Sequence, residues 1–168
     1  MAALRAEVER LKSSSGPAHD LNLKSKPTLG YWDIRGLGNQ CRALLMFCGV
    51  DFVDQHYHMG PAPEFSRADW LDKKFTLGLD YPNLPYLIDE GINLTETNAI
   101  MKYICAKWNP ELLGRTPVEI GNVEMMTAHC VELKSKSTYP CYATDDRKAV
   151  LAGMQEPLKK VMDWLKGK

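Results

Sequence analysis

The chain has 168 residues, enough to bury a core as one domain or as two small ones. Its 21 basic residues cancel its 21 acidic residues, so net charge gives no reason to expect a nucleic-acid or membrane-surface partner. The five cysteines form no CxxC pair and no metal-ligand spacing, which favours a reduced, cytoplasmic protein without a metal. An organellar complex stays open as the alternative location. No apolar run approaches the ~20 residues of a membrane-spanning helix.

Residues 1–26 differ in composition from the rest of the chain. The first ten carry two glutamates and lack an apolar stretch, so they do not resemble a secretory signal. Leu4, Val8 and Leu11 would line one side of a short helix that ends at a serine, glycine and proline break. A helix of that length is marginal by itself. This extension is therefore either a disordered tail or a helix that docks on a partner in a larger assembly.

From Pro27 onward the pattern predicts strand, helix, strand, helix, two strands and a helix, which is an α/β fold on a small mixed sheet. The predicted elements are a strand at 29–32, a helix at 39–47, a strand at 52–57, a helix at 64–73, strands at 86–89 and 92–94 joined by a Glu-Gly turn, and a helix that Thr95 caps and that runs to 108.

The remaining residues, 110–168, are predicted to form an all-helical part of the chain. One amphipathic helix is expected over 118–136, and a second is indicated by apolar residues spaced three and four apart over 151–165. Pro157 is a potential kink in the second. The predicted organisation is thus an extension at 1–26, an α/β domain at 27–109 and a helical part at 110–168.

Two long segments carry a resemblance to a known family. Residues 29–37, LGYWDIRGL, and residues 77–89, LGLDYPNLPYLID, resemble the mu-class glutathione S-transferases. Shorter matching segments lie between and after them, at 59–63 (MGPAP), 67–71 (RADWL) and 94–100 (LTETNAI). The resemblance covers Pro27 to about Lys107, in order and almost without gaps. It implies a thioredoxin-like glutathione-binding domain, followed by a shortened all-α domain.

The resemblance implies that Tyr31 hydrogen-bonds the sulfur of glutathione. A thiol with a pKa near 8.5 is only a few per cent thiolate at neutral pH, and each unit of pKa depression requires ~1.4 kcal/mol. A hydrogen bond to a charged group supplies roughly 1.5–3 kcal/mol, enough for one or two units. One phenol can therefore activate the thiol without a base. The alternative for Tyr31 is an aromatic at a strand end with a solvated hydroxyl.

Further glutathione contacts are implied by the same resemblance. A cis Leu84–Pro85 bond would let the Leu84 backbone pair with the cysteinyl backbone like an added strand. Two cations and an indole would clamp the glycyl carboxylate. The helix start at Thr97 would receive the γ-glutamyl carboxylate, with Glu96 on the ammonium, although the family commonly has Gln-Ser there. The implied contact residues are Trp32, Leu37, Arg67, Trp70, Lys74, Asn83, Leu84, Pro85, Glu96 and Thr97.

The resemblance also bears on assembly. Tyr81 occupies the position of an aromatic that inserts between two helices of a partner, which implies a homodimer or a partner of the same fold. Glu124 falls near an aspartate that reaches across the dimer in the family, and Lys134 falls near a second tyrosine that serves the electrophile. Several helices of the family's all-α domain would follow residue 168. Part of the electrophile pocket is therefore expected to be missing, with the apolar faces of the last two helices exposed.

Two functions are consistent with these residues. The first is a transferase that conjugates the glutathione thiolate to small electrophiles. The second is a catalytically weak or silent structural subunit of a larger assembly that reuses the fold.

Other motifs are weak evidence for a function. Gly36-Leu37-Gly38 lacks the third glycine of a dinucleotide-binding site. His56 and His58 lie on one face of a strand without further metal ligands and are predicted to be structural or solvated.

Overall fold

The computed structural model describes residues 26–143 and 146–167. The extension 1–26, with its predicted helix, lies outside these residues except for Lys26. The elements in chain order are β1 (Thr28–Trp32), α1 (Gly38–Phe47), β2 (Val53–Tyr57), α2 (Ala68–Leu71), β3 (Tyr86–Asp89), β4 (Ile92–Thr95), α3 (Thr97–Trp108), a 3-10 turn (Pro110–Leu113), α4 (Pro117–Ala143) and α5 (Arg147–Lys166). Within the described ranges, no helix is both long enough and apolar enough to cross a membrane.

The four strands form one mixed sheet in the order β2-β1-β3-β4. β1 runs parallel to β2, and β3 runs antiparallel to both β1 and β4. These directions bring the carboxyl ends of β1, β2 and β4 and the amino end of β3 to one edge, called here the site edge. The tight turn between β3 and β4 lies at the opposite end, called here the hairpin edge.

Two groups of buried side chains hold the domain together. The first packs α1 and α3 on the sheet and consists of Leu29, Cys41, Leu45, Leu87, Ile100 and Ile104. The second gathers at the site edge and is largely aromatic; it consists of Tyr31, Tyr57, Trp70, Leu79, Leu84 and Tyr86. This aromatic cluster joins the ends of β1 and β2 to α2 and to the loop before β3. The loops that carry candidate functional residues therefore share a packed base.

The predicted order of strands and helices is confirmed, but some boundaries were wrong. The helix predicted over 64–73 is only α2, because Phe65 has φ 44° and its N–H bonds the Pro61 carbonyl in a turn. Thr95 does not cap α3, since it ends β4. Glu96 holds the cap position without a side-chain capping bond. The Glu90-Gly91 turn is confirmed, with positive φ at both residues.

The two long helices pack against each other at the end of the chain. α4 extends past its predicted end at residue 136, and α5 continues through Pro157. Several of their apolar side chains are exposed, as expected, including Val118 at 73% and Leu151 at 66%.

Candidate active site

The sheet directions bring the four segments that carry predicted glutathione contacts to the site edge. The end of β1 carries Tyr31 and Trp32, and the turn after it carries Leu37; the segment after β2 carries Arg67, Trp70 and Lys74; the loop before β3 carries Asn83, Leu84 and Pro85; and the start of α3 carries Thr97, with Glu96 in the cap position before it. Segments far apart in sequence therefore face one region of the surface.

Tyr31 is held in a fixed position by the turn that follows it. The side chain is 6% exposed, and the Leu37 N–H donates to Tyr31 Oη at 3.0 Å. A Cβ on Gly36 would lie 2.6 Å from Tyr31 Oη, and a Cβ on Gly38 would lie 2.7 Å from Tyr31 Cδ1. Both glycines are thus required for the phenol to sit here. Because the hydroxyl accepts in this contact, its own proton is left for donation.

Arg42 of α1 supports the same turn from beneath. Its Nε donates to both carboxylate oxygens of Asp54, at 2.8 and 3.0 Å, and its Nη1 donates to the Ile34 carbonyl at 3.0 Å. The guanidinium carbon lies 6.0 Å from the centre of the Tyr31 ring. Arg42 was not predicted from the sequence. The available signal was its position, because Arg42 is a cation on a helix whose buried side chains pack on the sheet.

Lys134 of α4 reaches the turn from the other side. Its Nζ donates to the Gly36 carbonyl at 2.8 Å and to Gln40 Oε1 at 3.1 Å. Burial lowers the pKa of Lys134, and the thiol of Cys41 nearby acts in the opposite direction. The alignment with a second tyrosine gave no reason to expect this contact, since it spans 98 residues of sequence.

Trp70 lies in the aromatic cluster beneath the site edge. It is 5% exposed, meets Tyr57 edge-on at 5.2 Å and stacks on Tyr86 at 6.0 Å. The hydroxyls of Tyr57 and Tyr86 are hydrogen-bonded at 2.9 Å, and burial is the main cause that raises the pKa of Tyr86. Most of the indole surface is therefore used in packing.

The two predicted cations flank Trp70. Arg67 is exposed just before α2, and Lys74 is half-buried after it, with Nζ 5.4 Å from the centre of the Phe75 ring. The Lys74 N–H bonds the Trp70 carbonyl, which continues the helical turn. Spacings of three and four residues place Arg67, Trp70 and Lys74 along one side of this segment.

The loop before β3 has the expected backbone form, because the Leu84–Pro85 peptide is cis. A second cis peptide, Ala62–Pro63, was not predicted. Leu84 is 8% exposed, Pro85 is fully buried and Asn83 is exposed. The side chain of Leu84 thus belongs to the packed base.

Glu96 has an unusual backbone conformation between β4 and α3. Its φ is 71° and its ψ is 116°, its side chain is exposed, and its carbonyl accepts from the Ile100 N–H. Such conformations cost a non-glycine residue about 1–3 kcal/mol and cluster at functional sites. The Cys41 thiol donates to the Thr97 carbonyl at 3.9 Å. Burial raises the pKa of Cys41 to about 12, so this thiol is a neutral donor and not a nucleophile.

Three further residues discussed from the sequence have surroundings of their own. Tyr81 is 80% exposed. Glu124 pairs with Lys102 of α3 at 3.0 Å within the chain. His56 is bound to carboxylates on both sides, Asp54 at 2.9 Å and Asp33 at 2.6 Å. Among the residues described, no group of three or more His, Cys, Asp or Glu side chains is arranged to hold a metal.

A concavity among the described residues lies away from the predicted site. It has a volume of about 420 Å³ and lies between α1, α3, α4 and α5, with Gln40, Met101, Val123 and Trp164 among its walls. It contains none of the predicted glutathione contacts. The candidate site is defined instead by the four segments that converge at the site edge.

The mixed four-stranded sheet, with α1 and α3 packed on it, is a thioredoxin-like domain. Two long helices follow this domain and form a helical region. The protein family Glutathione S-transferase, N-terminal domain, matches residues 27–106. Those residues belong to this family, and the predicted fold class is confirmed.

Curated relatives agree with the class suggested by the sequence. The chain is 43% identical over 129 residues to Glutathione S-transferase 2 of Gallus gallus, covering 77% of this chain and 58% of that protein. It is 40% identical over 141 residues to Glutathione S-transferase Mu 2 of Mus musculus, covering 82% of this chain and 64% of that protein. The resemblance to the mu class is thus confirmed. The chain spans less than two thirds of these relatives' length.

Solved structures support the fold. The glutathione S-transferase of Ascaris lumbricoides superposes with a TM-score of 0.67 at 24% identity, over 86% of this chain and 69% of that one. The transferase Blo t 8 superposes with a TM-score of 0.68 at 29% identity, over 83% of this chain and 62% of that one.

Proposed function

We propose that this chain binds glutathione and conjugates its thiolate to small electrophiles, with Tyr31 as the catalytic residue that stabilises the thiolate. The observation that carries the proposal is the fixed phenol. The Leu37 N–H holds Tyr31 Oη, while Gly36 and Gly38 leave room for the ring. A donor fixed before the charge develops stabilises it without reorganisation.

The other segments of the site edge supply the rest of the tripeptide site. We propose that the Leu84 backbone pairs with the cysteinyl unit and that Arg67 and Lys74 bind the glycyl carboxylate. The amino end of α3, at Thr97, would receive the γ-glutamyl carboxylate, where free N–H groups favour an anion. Exposed Glu96 would pair with the ammonium. Trp32, Leu37, Asn83, Pro85 and Trp70 would line the path or support it.

We further propose a homodimer, or a pair with another subunit of this fold, that uses Tyr81. An aromatic side chain 80% exposed suits insertion into a partner. A cytoplasmic location is proposed because the described cysteines are free thiols. The named relatives support the transferase hypothesis, and they do not support the silent structural subunit or the larger assembly.

The experiment measures retention on immobilised glutathione and conjugation of a chlorinated aryl electrophile. In that reaction the thiolate forms a C–S bond, chloride leaves, and the thiol proton passes to solvent. We expect Tyr31→Phe to stay bound but to lose about 10- to 100-fold in rate at pH 6.5, equivalent to one charge-assisted hydrogen bond.

Tyr86→Phe is the matched control, because it also removes a hydroxyl from the aromatic cluster. It should lower stability by ~1 kcal/mol and leave the rate nearly unchanged. Retention with no Tyr31-dependent conjugation would contradict the catalytic proposal, and absence of retention would contradict glutathione binding.

A further inference from the structure

One peptide group connects two side chains from distant parts of the fold. The carbonyl of the Gly36–Leu37 peptide accepts a hydrogen bond from Lys134 Nζ at 2.8 Å. The N–H of the same peptide donates to Tyr31 Oη at 3.0 Å. An ammonium on α4 and the phenol at the end of β1 are therefore joined through a single planar, conjugated unit.

We propose that Lys134 is a positioning residue that strengthens the hydrogen bond from Tyr31 to the glutathione thiolate through the Gly36–Leu37 peptide. This inference rests on the proposed function. A cation on the carbonyl oxygen polarises the peptide and makes its N–H a stronger donor. A phenol oxygen that accepts a stronger bond becomes a better O–H donor in turn, so the successive bonds reinforce one another.

The surroundings of Lys134 direct its charge toward this peptide. On α1, Gln40 offers a neutral amide oxygen at 3.1 Å. The titratable neighbour on α1 is Cys41, a neutral thiol since burial raises its pKa to about 12. The ammonium is half-buried, where a hydrogen bond is electrostatically stronger than in water.

Other charges nearby have different partners. On α4, Glu132 pairs with Lys136, and His129 lies 3.8 Å from the same carboxylate. Arg42, which lies against the Tyr31 ring, is paired with Asp54. Lys134 and Arg42 therefore hold the two sides of the turn, but only Lys134 bonds the peptide that contacts the phenol oxygen.

The experiment is a double-mutant cycle on the thiol pKa of bound glutathione. This pKa is measured from the ultraviolet absorbance of the thiolate. Lys134→Met should raise that pKa by about half a unit, the size expected if the cation strengthens the Tyr31 bond by about 30%, which is the upper end for successive hydrogen bonds. At pH 6.5 this is roughly a threefold loss of thiolate and of kcat, with the KM for glutathione unchanged. In a Tyr31→Phe background, Lys134→Met should have no effect.

Matched variants separate this role from a structural one. Lys136→Met removes a surface lysine two residues along α4 and should leave the thiol pKa unchanged. Lys134→Arg keeps a cationic donor and should restore most of the shift. Lys134→Gln removes the charge with less change in polarity and replaces Lys134→Met if that variant does not fold.

Three results would overturn the proposal: no shift in Lys134→Met, an equal shift with and without Tyr31, or an equal shift in Lys136→Met. The unmodified protein separates a failure of the proposed function from a failure of the Lys134 proposal. A normal pKa for its bound thiol would remove the proposed function itself. A depressed pKa that depends on Tyr31 but not on Lys134 would remove this inference alone.

Discussion

The site edge and the hairpin edge of the same sheet handle polar groups in different ways. At the hairpin edge, Asp89 is 2% exposed and accepts from Tyr103 Oη at 2.8 Å and from Lys107 Nζ at 2.6 Å. At the site edge, the Tyr31 hydroxyl is held by a backbone N–H and keeps its proton for a ligand. One end thus neutralises its charges internally, while the other fixes a donor and leaves it available.

At the hairpin edge, two carboxylates neutralise the ammonium of Lys107. Burial alone would lower the pKa of Lys107, but Asp89 and Glu90 together raise it to about 12. The second carboxylate oxygen of Asp89, Oδ1, is buried and has no hydrogen-bond partner among the described residues. We therefore expect changes at this edge to alter stability, and changes at the site edge to alter chemistry.

The largest expected effect is that of Asp89→Ala on stability. It would leave the ammonium of Lys107, 14% exposed, without its main partner. Removing one member of a buried pair costs 3–5 kcal/mol, and we expect about 3 because Glu90 still faces Lys107. Urea denaturation measures the loss.

Glu90→Ala is the control, since its carboxylate is 40% exposed and its loss should cost no more than ~1 kcal/mol. Folded Asp89→Ala should retain unchanged affinity for glutathione. A large change in affinity without loss of stability would erase the distinction between the two edges.

Gly38→Ala should have a smaller effect on stability and a specific effect on the site. Its Cβ would lie 2.7 Å from the Tyr31 ring, so we expect a displaced phenol, ~1–3 kcal/mol of lost stability and a raised pKa of bound glutathione. Gly121→Ala in α4 is the control, because nothing lies within 4 Å of its Cβ and alanine favours helix. If the two variants had the same free energy of unfolding and the same thiol pKa of bound glutathione, the space that Gly38 leaves for the Tyr31 ring would be unimportant.

The smallest expected effect lies on the outer side of the site edge. Hydrogen bonds to Asp54 and Asp33 raise the pKa of His56 above 6.5, and His56 lowers the pKa of Asp33 below 3.8. The histidine contribution to stability is therefore complete below pH 6.5 and lost as pH rises through the raised pKa. The Asp33 contribution is complete above pH 3.8 and lost as pH falls through the lowered pKa.

Together these contributions are greatest between about pH 4 and 6.5. His56→Gln should lower the urea midpoint more at pH 5 than at pH 8.5, whereas His58→Gln, 67% exposed and 3.5 Å from Asp33, should change it little. The same loss for His56→Gln at both pH values would contradict the ion-pair account.

The order of elements followed from the sequence because periodicity and turn residues act locally. The Glu90-Gly91 hairpin and the apolar side of α1 are examples. The helix predicted over 64–73 was wrong because the positive φ of Phe65 depends on the Pro61 loop, which no periodicity records.

For the candidate site, Tyr31 was predicted from the motif that contains it. The Lys134 contact spans 98 residues and depends on how α4 packs, so it could not be read locally. Arg42 shows the same limit, since its partner Asp54 lies on a neighbouring strand. The sequence therefore did not predict which groups Lys134 and Arg42 contact.

The pKa of glutathione bound to the unmodified protein and to Tyr31→Phe tests the central claim most directly. Thiolate absorbance, titrated between pH 5 and 10, gives both values. The account predicts a thiol pKa one to two units below its free value of roughly 8.5 in the unmodified protein, and a return toward that value in Tyr31→Phe. The same pKa in both proteins would contradict the claim that the Tyr31 hydroxyl stabilises the thiolate.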